Sequence, residues 1–158
     1  MRIISIDPGY DRVGIAIIEK IGGKKEDLLY SNCFRTSSKE SISKRTAVIG
    51  EEVGRLIEEY SPSILAIETL FMTNNQKTVM GVSEARGVIM YEGIRKNLTI
   101  VEYNPNQIKI AVTGYGKATK EQVHKMVAKQ IQLPQKKMID DEVDAIAVGI
   151  TAFAHHRP

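Results

Sequence analysis

The chain contains little of what marks secreted or membrane proteins. It has one cysteine, Cys33, and no tryptophan among its 158 residues. A single cysteine excludes an internal disulfide, and no second cysteine completes a metal-binding spacing, so we expect a buried thiol in a reducing compartment. No apolar run approaches the roughly 18 residues of a membrane span, and no signal-peptide pattern precedes the first apolar segment. These absences favour a cytoplasmic protein with no membrane partner.

The length and composition predict one globular domain over residues 1–158. Hydrophobic residues make up 42% and charged residues 26% of the chain, which is enough for one core but not for two full lobes. The net charge is +3, yet residues 105–139 hold seven lysines against one acid. This segment suits a polyanion-binding face, and a solvated helix surface explains it equally well. The lysines are Lys109, Lys117, Lys120, Lys125, Lys129, Lys136 and Lys137.

The spacing of apolar residues predicts a mixed α/β sheet flanked by helices. Strands are marked by short apolar or alternating runs, and helices by apolar residues three and four positions apart. The expected strands are 3–6, 13–18, 28–35, 64–67 and 98–103. The expected helices are 43–60, 76–96, 108–112, 119–131 and a last one that begins near residue 140. Three strands followed by alternating helices and strands are typical of a mixed sheet.

Two acids directly follow apolar strands. Asp7 comes after Ile-Ser-Ile, and Glu68 comes after Leu-Ala-Ile. A carboxylate in such a partly dry place is costly unless it is paired or bound to a metal, and the carboxyl edge of an open α/β sheet is where ligands bind. Asp7 has a second explanation, as a cap of the Pro8-Gly9 turn, whereas Glu68 has no turn to stabilise. If the two strands are neighbours, the two acids converge.

A third acidic element opens the last helix. Asp140, Asp141 and Glu142 fall in its first turn, where the helix dipole favours negative charge, and that explanation is sufficient for them. It does not explain Asp144, which leads into the apolar face of the helix. Asp141 and Asp144 are three residues apart and share one side. With the two strand acids they form an all-oxygen donor set for two Mg²⁺ ions, as phosphodiester hydrolysis requires.

Six short motifs surround these acids and run in one order across essentially the whole chain. They are IDPG at 6–9 with Gly14, AIETLFM at 66–72 with Asn74-Asn75, EARG at 84–87, Tyr103 with QIK at 107–109, GYGKATK at 114–120, and DEVDAIAV at 141–148. No single motif is decisive. Together they resemble the RuvC family of Holliday junction resolvases.

The resemblance implies a ribonuclease H-like fold and a homodimer that nicks four-way DNA junctions in pairs during recombination and repair. It implies two Mg²⁺ ions per active site, for which Mn²⁺ is an alternative, and a branch-migration motor of the RuvA and RuvB type as partner. It assigns the catalytic and metal-binding acids to Asp7, Glu68, Asp141 and Asp144. Some family members carry another residue at the position of Asp141, so Asp140 remains an alternative ligand.

The resemblance also implies contacts with DNA. Lys109 and Lys120 match family positions near the scissile phosphate, where a cation steadies the transition state, and Lys120 therefore joins the catalytic set. Lys117, in the glycine-containing loop, is expected to contact DNA as well. Phe71 matches an aromatic residue that stacks on an unpaired base. The alternatives are ordinary surface lysines and a core phenylalanine.

The helix predicted over 76–96 is a candidate for the subunit interface. Its apolar residues wrap around more than one face, which suggests burial on two sides. Paired, symmetric cuts need two identical sites at a fixed spacing, and a two-fold dimer provides them. The expected interface residues are Val79, Met80, Val82, Ala85 and Ile89.

Three other functions fit parts of the sequence. An actin-like ATPase or sugar kinase also opens with an acid and glycine after a strand, but it needs two lobes. A ribonuclease acting on RNA–DNA hybrids would share the acids, but Lys109, Lys120 and Phe71 argue against it. A junction-binding protein without catalysis would not need four acids.

Overall fold

The computed structural model describes residues 1–70 and 76–156, without the side chains of residues 76 and 77. The strands are β1 (Arg2–Asp7), β2 (Arg12–Glu19), β3 (Asp27–Arg35), β4 (Ile64–Glu68) and β5 (Thr99–Tyr103). The helices are α1 (Ile42–Tyr60), α2 (Gln76–Arg95), α3 (Pro105–Thr113), α4 (Lys120–Gln130) and α5 (Asp140–His155). None of these helices is both long enough and apolar enough to cross a bilayer.

One mixed sheet organises the described chain. Its strand order is β3-β2-β1-β4-β5; β1 and β3 pair antiparallel with β2, whereas β4 and β5 continue the sheet parallel to β1. Parallel neighbours end at the same edge, so the carboxyl ends of β1, β4 and β5 lie side by side. The mixed α/β architecture expected from the sequence is confirmed.

Two layers of helices cover the sheet. Successive side chains of a strand point to opposite faces, so Ile3 packs in one core and Ile4 in the other. Helices α1 and α2 cover the face of Ile4, and α3, α4 and α5 cover the face of Ile3. This double burial explains why β1, β2 and β4 are almost continuous apolar runs. Helix α5 packs against β1 and β2, which brings its acidic first turn toward the sheet.

Helix α3 is longer than the sequence predicted. It begins at Pro105 rather than at residue 108, because Asn104 forms a capping box with Gln107. The Asn104 side chain accepts from the Gln107 amide at 2.9 Å, and the Gln107 side chain accepts from the Asn104 amide at 2.9 Å. Proline at the first helical position has a φ angle already suited to a helix. Lys109 consequently lies in the middle of a helix rather than in its first turn.

Helix α2 corrects part of the predicted subunit interface. Ala85 and Ile89 are fully buried in this chain's own core, against the sheet face that α1 also covers. Because they have no free surface, they are not available to a partner subunit. Val79 and Val82 are half-buried and Met80 is exposed. The wrapped apolar pattern therefore reflects one face in the core and another on the surface.

Candidate active site

Asp7 and Glu68 end neighbouring parallel strands. In the register of β1 and β4, Ile6 lies beside Ile67, so the acids that follow occupy adjacent positions at the carboxyl edge of the sheet. Both strands are buried up to this point, and both acids are only half-exposed. The convergence expected from the two apolar strands is present.

Gly14 lets Asp141 approach Asp7. In the antiparallel pair of β1 and β2, Gly14 lies opposite Asp7. A Cβ atom on Gly14 would stand 1.9 Å from the Asp141 carbonyl oxygen and 3.1 Å from the Asp7 Cβ. No side chain fits between them, so glycine at this position is what allows the first turn of α5 to lie against the end of β1.

Asp144 faces Glu68 across a cleft. The cleft has a volume of about 200 Å³ and contains the side chains of Glu68, Asp144, Lys109 and Lys120. Its walls are completed by Pro105, Ile108, Val123 and Ala147. All four predicted catalytic acids thus meet at one edge of the sheet, although they are up to 137 positions apart in the sequence.

Burial and negative neighbours raise the pKa of Asp7 and of Glu68. Burial, followed by the charges of Glu68, Asp144 and Asp141, raises the pKa of Asp7 to about 8, and Lys120 opposes this rise only in part. Burial and the charge of Asp144 raise the pKa of Glu68 to about 7. Both effects disfavour the ionised form, because a carboxylate that loses water and gains negative neighbours is costly. A positive charge is therefore needed at this edge when the acids are ionised.

Basic side chains supply part of that charge. Lys120 Nζ lies 2.8 Å from Asp144 Oδ2 and 3.5 Å from Asp140 Oδ2. Burial lowers the pKa of Lys120, but the hydrogen bond and charge of Asp144 outweigh burial, so its pKa is raised and the ammonium form is favoured. Arg12 lies 3.6 Å from Asp141. Lys117 is exposed on the loop between α3 and α4, outside the residues that line the cleft.

Asp140 and Asp141 have different surroundings. The Asp140 side chain is 69% exposed, and among the described residues its one ion pair is with Lys120. The Asp141 side chain is 19% exposed, and its charge contributes to the raised pKa of Asp7. The thiol of Cys33, which is buried as expected, lies 3.9 Å from Asp141 Oδ2. Asp141 therefore belongs to the interior of the site and Asp140 to its rim.

The chemistry of the donor set fits a hard divalent cation, but the side chains are not arranged around one. Within residues 1–70 and 76–156, no three Asp, Glu, His or Cys side chains stand where they could hold a metal ion together. At Asp144, both carboxylate oxygens have basic partners, Lys120 and His124. Four carboxylates at one edge of the sheet are nonetheless the ligands that Mg²⁺ prefers.

His124 is a site residue that the sequence analysis missed. Its Nε2 lies 2.9 Å from Asp144 Oδ1. Lys120 and His124 are four residues apart on α4 and so share the face that meets α5. This spacing was visible in the sequence, but nothing there indicated that α4 lies against Asp144.

Two more polar anchors were missed. Arg86 donates to the Glu68 carbonyl oxygen and to the Glu102 carboxylate, which ties the end of β4 to α2 and β5. Glu142 is almost fully buried and accepts from Ser31 Oγ at 2.8 Å and from Lys136 Nζ at 2.7 Å. The sequence analysis explained Glu142 by the helix dipole, and that explanation does not predict hydrogen bonds with Ser31 and Lys136.

One predicted DNA contact cannot be placed. Phe71 lies outside the described residues, so the structure does not test its stacking role.

A family model and several relatives share one description. The family model described as "Crossover junction endodeoxyribonuclease RuvC" matches residues 3–152. A relative of that name from Natranaerobius thermophilus is 44% identical over 95% of this chain and 92% of its own length. Another from Thermosipho melanesiensis is 43% identical over 94% of each chain.

Solved structures share the fold. The Thermus thermophilus RuvC structure in complex with Holliday junction substrate has a TM-score of 0.91 at 26% identity, covering 98% of this chain and 94% of that one. The yeast mitochondrial Holliday junction resolvase has a TM-score of 0.71 at 11% identity, covering 96% of this chain and 77% of that one. The predicted ribonuclease H-like fold is confirmed.

The raised pKa of Asp7 predicts that folding stability depends on pH. The unfolded chain releases this proton near the ordinary value of 3.8 and the folded chain only near 8. Between these values the folded state binds more protons than the unfolded state, so stability falls as pH rises. We expect Asp7→Asn to remove part of this fall and to stabilise the metal-free protein by about 1–3 kcal/mol near pH 8. Urea unfolding near pH 5 and near pH 8 measures both effects.

Asp27→Asn, at an exposed acid at the start of β3, is the matched control and should leave the pH dependence unchanged. If Asp7→Asn lost as much stability between the two pH values as the unaltered chain, the electrostatic account of the site would be wrong.

Proposed function

Because the chain belongs to the RuvC family of crossover junction endodeoxyribonucleases, we propose that it resolves four-way DNA junctions by paired, symmetric nicks. The observation that carries the proposal is the meeting of Asp7, Glu68, Asp141 and Asp144 at one edge of the sheet. The relative from Thermus thermophilus was solved with a Holliday junction substrate. We place the reaction in recombination and repair, in the cytoplasm, with a motor of the RuvA and RuvB type as partner.

The four acids are the proposed ligands of two Mg²⁺ ions, with Mn²⁺ as a substitute. Bound there, the ions would lower the pKa of a water molecule and stabilise the leaving oxygen of a phosphodiester. The acids themselves would bind the cations at this edge of the sheet. The repulsion among their charges supports their assignment as metal ligands, because a bound cation would relieve it. Asp7 and Glu68 lie at the ends of buried strands and Asp141 and Asp144 lie on α5, and ligands on such rigid elements would have little freedom to move.

Lys109 and Lys120 are the proposed contacts of the scissile phosphate. Both line the cleft with Glu68 and Asp144. Lys120 pairs with Asp144 and Asp140 and is still 54% exposed, so its ammonium remains accessible to a phosphate. A fixed cation beside the reacting phosphate stabilises the charge that develops in the transition state. Lys117 would contact the DNA backbone farther out, and Phe71 would stack on an unpaired base.

A panel of three substrates tests this function. We expect cleavage of a synthetic four-way junction in Mg²⁺, and none of a linear duplex or an RNA–DNA hybrid. Asp7→Asn should keep junction affinity and lose cutting by at least about a thousandfold, because it removes a proposed ligand without altering the fold. Preferred cutting of the hybrid would identify a ribonuclease instead. Junction binding without cutting by the unaltered chain would identify a protein that only binds junctions.

The second ligand on α5 is proposed to be Asp141 rather than Asp140. Asp141 is the less exposed of the two and acts on the pKa of Asp7, whereas Asp140 lies at the rim. We expect Asp141→Asn to lower the junction cleavage rate at least about a hundredfold and Asp140→Asn to lower it less than about fivefold. The two variants are matched controls for each other, since each removes one charge from the same helical turn. The reverse order would transfer the ligand role to Asp140.

The subunit interface is proposed to lie on the exposed side of α2. Met80, Tyr91 and Ile94 are exposed there. Tyr91 follows Met80 by 11 residues and Ile94 follows it by 14, which places all three on one stripe of the helix. Val79 is half-buried at the flank of this stripe, whereas Val82, two residues from Met80, lies toward the side of the helix that holds Ala85 and Ile89. Exposed apolar stripes of this kind are typical of subunit contacts.

We expect Tyr91→Glu to shift the protein from dimer to monomer in sedimentation velocity and to replace paired cuts by single nicks. Burial of a charge in an apolar contact opposes association. Ile110→Glu, at an exposed apolar residue on α3, is the control and should remain dimeric. An unaltered chain that is monomeric at micromolar concentration and still cuts junctions in pairs would refute the dimer.

A further inference from the structure

His124 engages the oxygen of Asp144 that Lys120 does not. The carboxylate of Asp144 has two oxygens, of which Oδ2 lies 2.8 Å from Lys120 Nζ and Oδ1 lies 2.9 Å from His124 Nε2. An ionised carboxylate can only accept hydrogen bonds, so the Nε2–H of His124 donates. Each of the two partners therefore contacts a different oxygen of Asp144.

The two partners differ in exposure. The Lys120 side chain is 54% exposed and lines the cleft, whereas the His124 side chain is 22% exposed. Val123 is one of the residues given above as lining the cleft, and its neighbour His124 is not one of them. His124 is thus the less exposed partner of Asp144, and it contacts the oxygen that Lys120 leaves free.

The backbone around His124 is firmly held. Helix α4 begins with a capping box in which Thr119 and Gln122 exchange hydrogen bonds between side chain and amide. Val123 and Val127 of the same helix are buried in the core that α5 shares. The imidazole is therefore presented from a rigid element, as a group that sets the direction of a ligand must be.

Orientation matters for a carboxylate ligand because its terminal torsion is soft. An aspartate carboxyl group rotates over a broad range about its last bond. A hydrogen bond to one oxygen fixes the plane of the group and so the direction of the other oxygen. Partners of this kind, behind the ligands of a metal, commonly change metal affinity by about 10–100-fold when they are removed.

We propose that His124 is a positioning residue for divalent-cation binding, which holds Asp144 Oδ1 so that Oδ2 faces Glu68 and the cleft. The proposal rests on the metal-dependent function proposed above, and it concerns this chain's own histidine on α4. It makes His124 important for cation affinity rather than for DNA affinity.

The test titrates MgCl₂ alone into the protein by isothermal titration calorimetry. We expect His124→Leu to weaken Mg²⁺ binding about tenfold. His124→Gln, whose side-chain N–H can reach the same oxygen, should bind within about threefold of the unaltered chain. His156→Leu, at the residue that caps the opposite end of α5, is the control for loss of an imidazole and should bind normally. If His124→Leu does not fold, His124→Ala takes its place.

Cleavage gives a second measurement. In His124→Leu the Mg²⁺ concentration for half-maximal junction cutting should rise about tenfold, junction affinity without divalent cation should not change, and saturating Mg²⁺ should restore most of the rate. A purely structural contact between α4 and α5 would instead lower stability and rate in a way that Mg²⁺ does not restore.

The proposal is overturned if His124→Leu binds Mg²⁺ like the unaltered chain, or if His124→Gln loses as much affinity as His124→Leu. Failure of the proposed function is a separate result. A chain that binds Mg²⁺ but cuts no junction would refute the nuclease activity, while calorimetry alone would still decide the role of His124.

Discussion

Repulsion among partly buried carboxylates at one edge of the sheet is the constraint on which the rest of the site depends. Burial and negative neighbours raise the pKa of Asp7 to about 8 and that of Glu68 to about 7. Such a cluster lowers the stability of the folded state, and other interactions must offset this loss of stability. The cationic neighbours on α4 and β2 offset part of this cost, and divalent cations are suited to offset the remainder. The cluster is therefore the strongest physical sign of function in the chain.

The fold produces this cluster from distant segments by two simple means. Parallel pairing of β1 with β4 places Asp7 beside Glu68, because parallel strands end at the same edge. The missing side chain at Gly14 then lets the start of α5 close over that edge. Each acid lies at the end of a strand or in the first five residues of a helix, and most other residues of these elements are packed in the core. Stability of the two cores and geometry of the site are thus coupled.

Several parts of this arrangement were predictable from residues alone. Asp7 and Glu68 follow strands that are apolar throughout, and a carboxylate in that position requires a partner. Asp144 breaks the apolar face of a helix, so a dipole could not account for it. The burial of residues on α2 was harder to predict, because periodicity shows that two faces of the helix are apolar without showing which face meets the core. Ala85 and Ile89 proved to be core residues for that reason.

The sequence by itself determined most of the strands and helices, because they follow from local apolar periodicity, and it singled out Asp7, Glu68 and Asp144 through the cost of burying charge. Only the tertiary structure decided which polar side chains meet those acids. His124, Arg86 and Glu142 reach their partners across 20, 18 and 111 positions of the chain. Such contacts depend on how helices pack on the sheet, and packing is set by the sum of many weak apolar contacts that no short motif records.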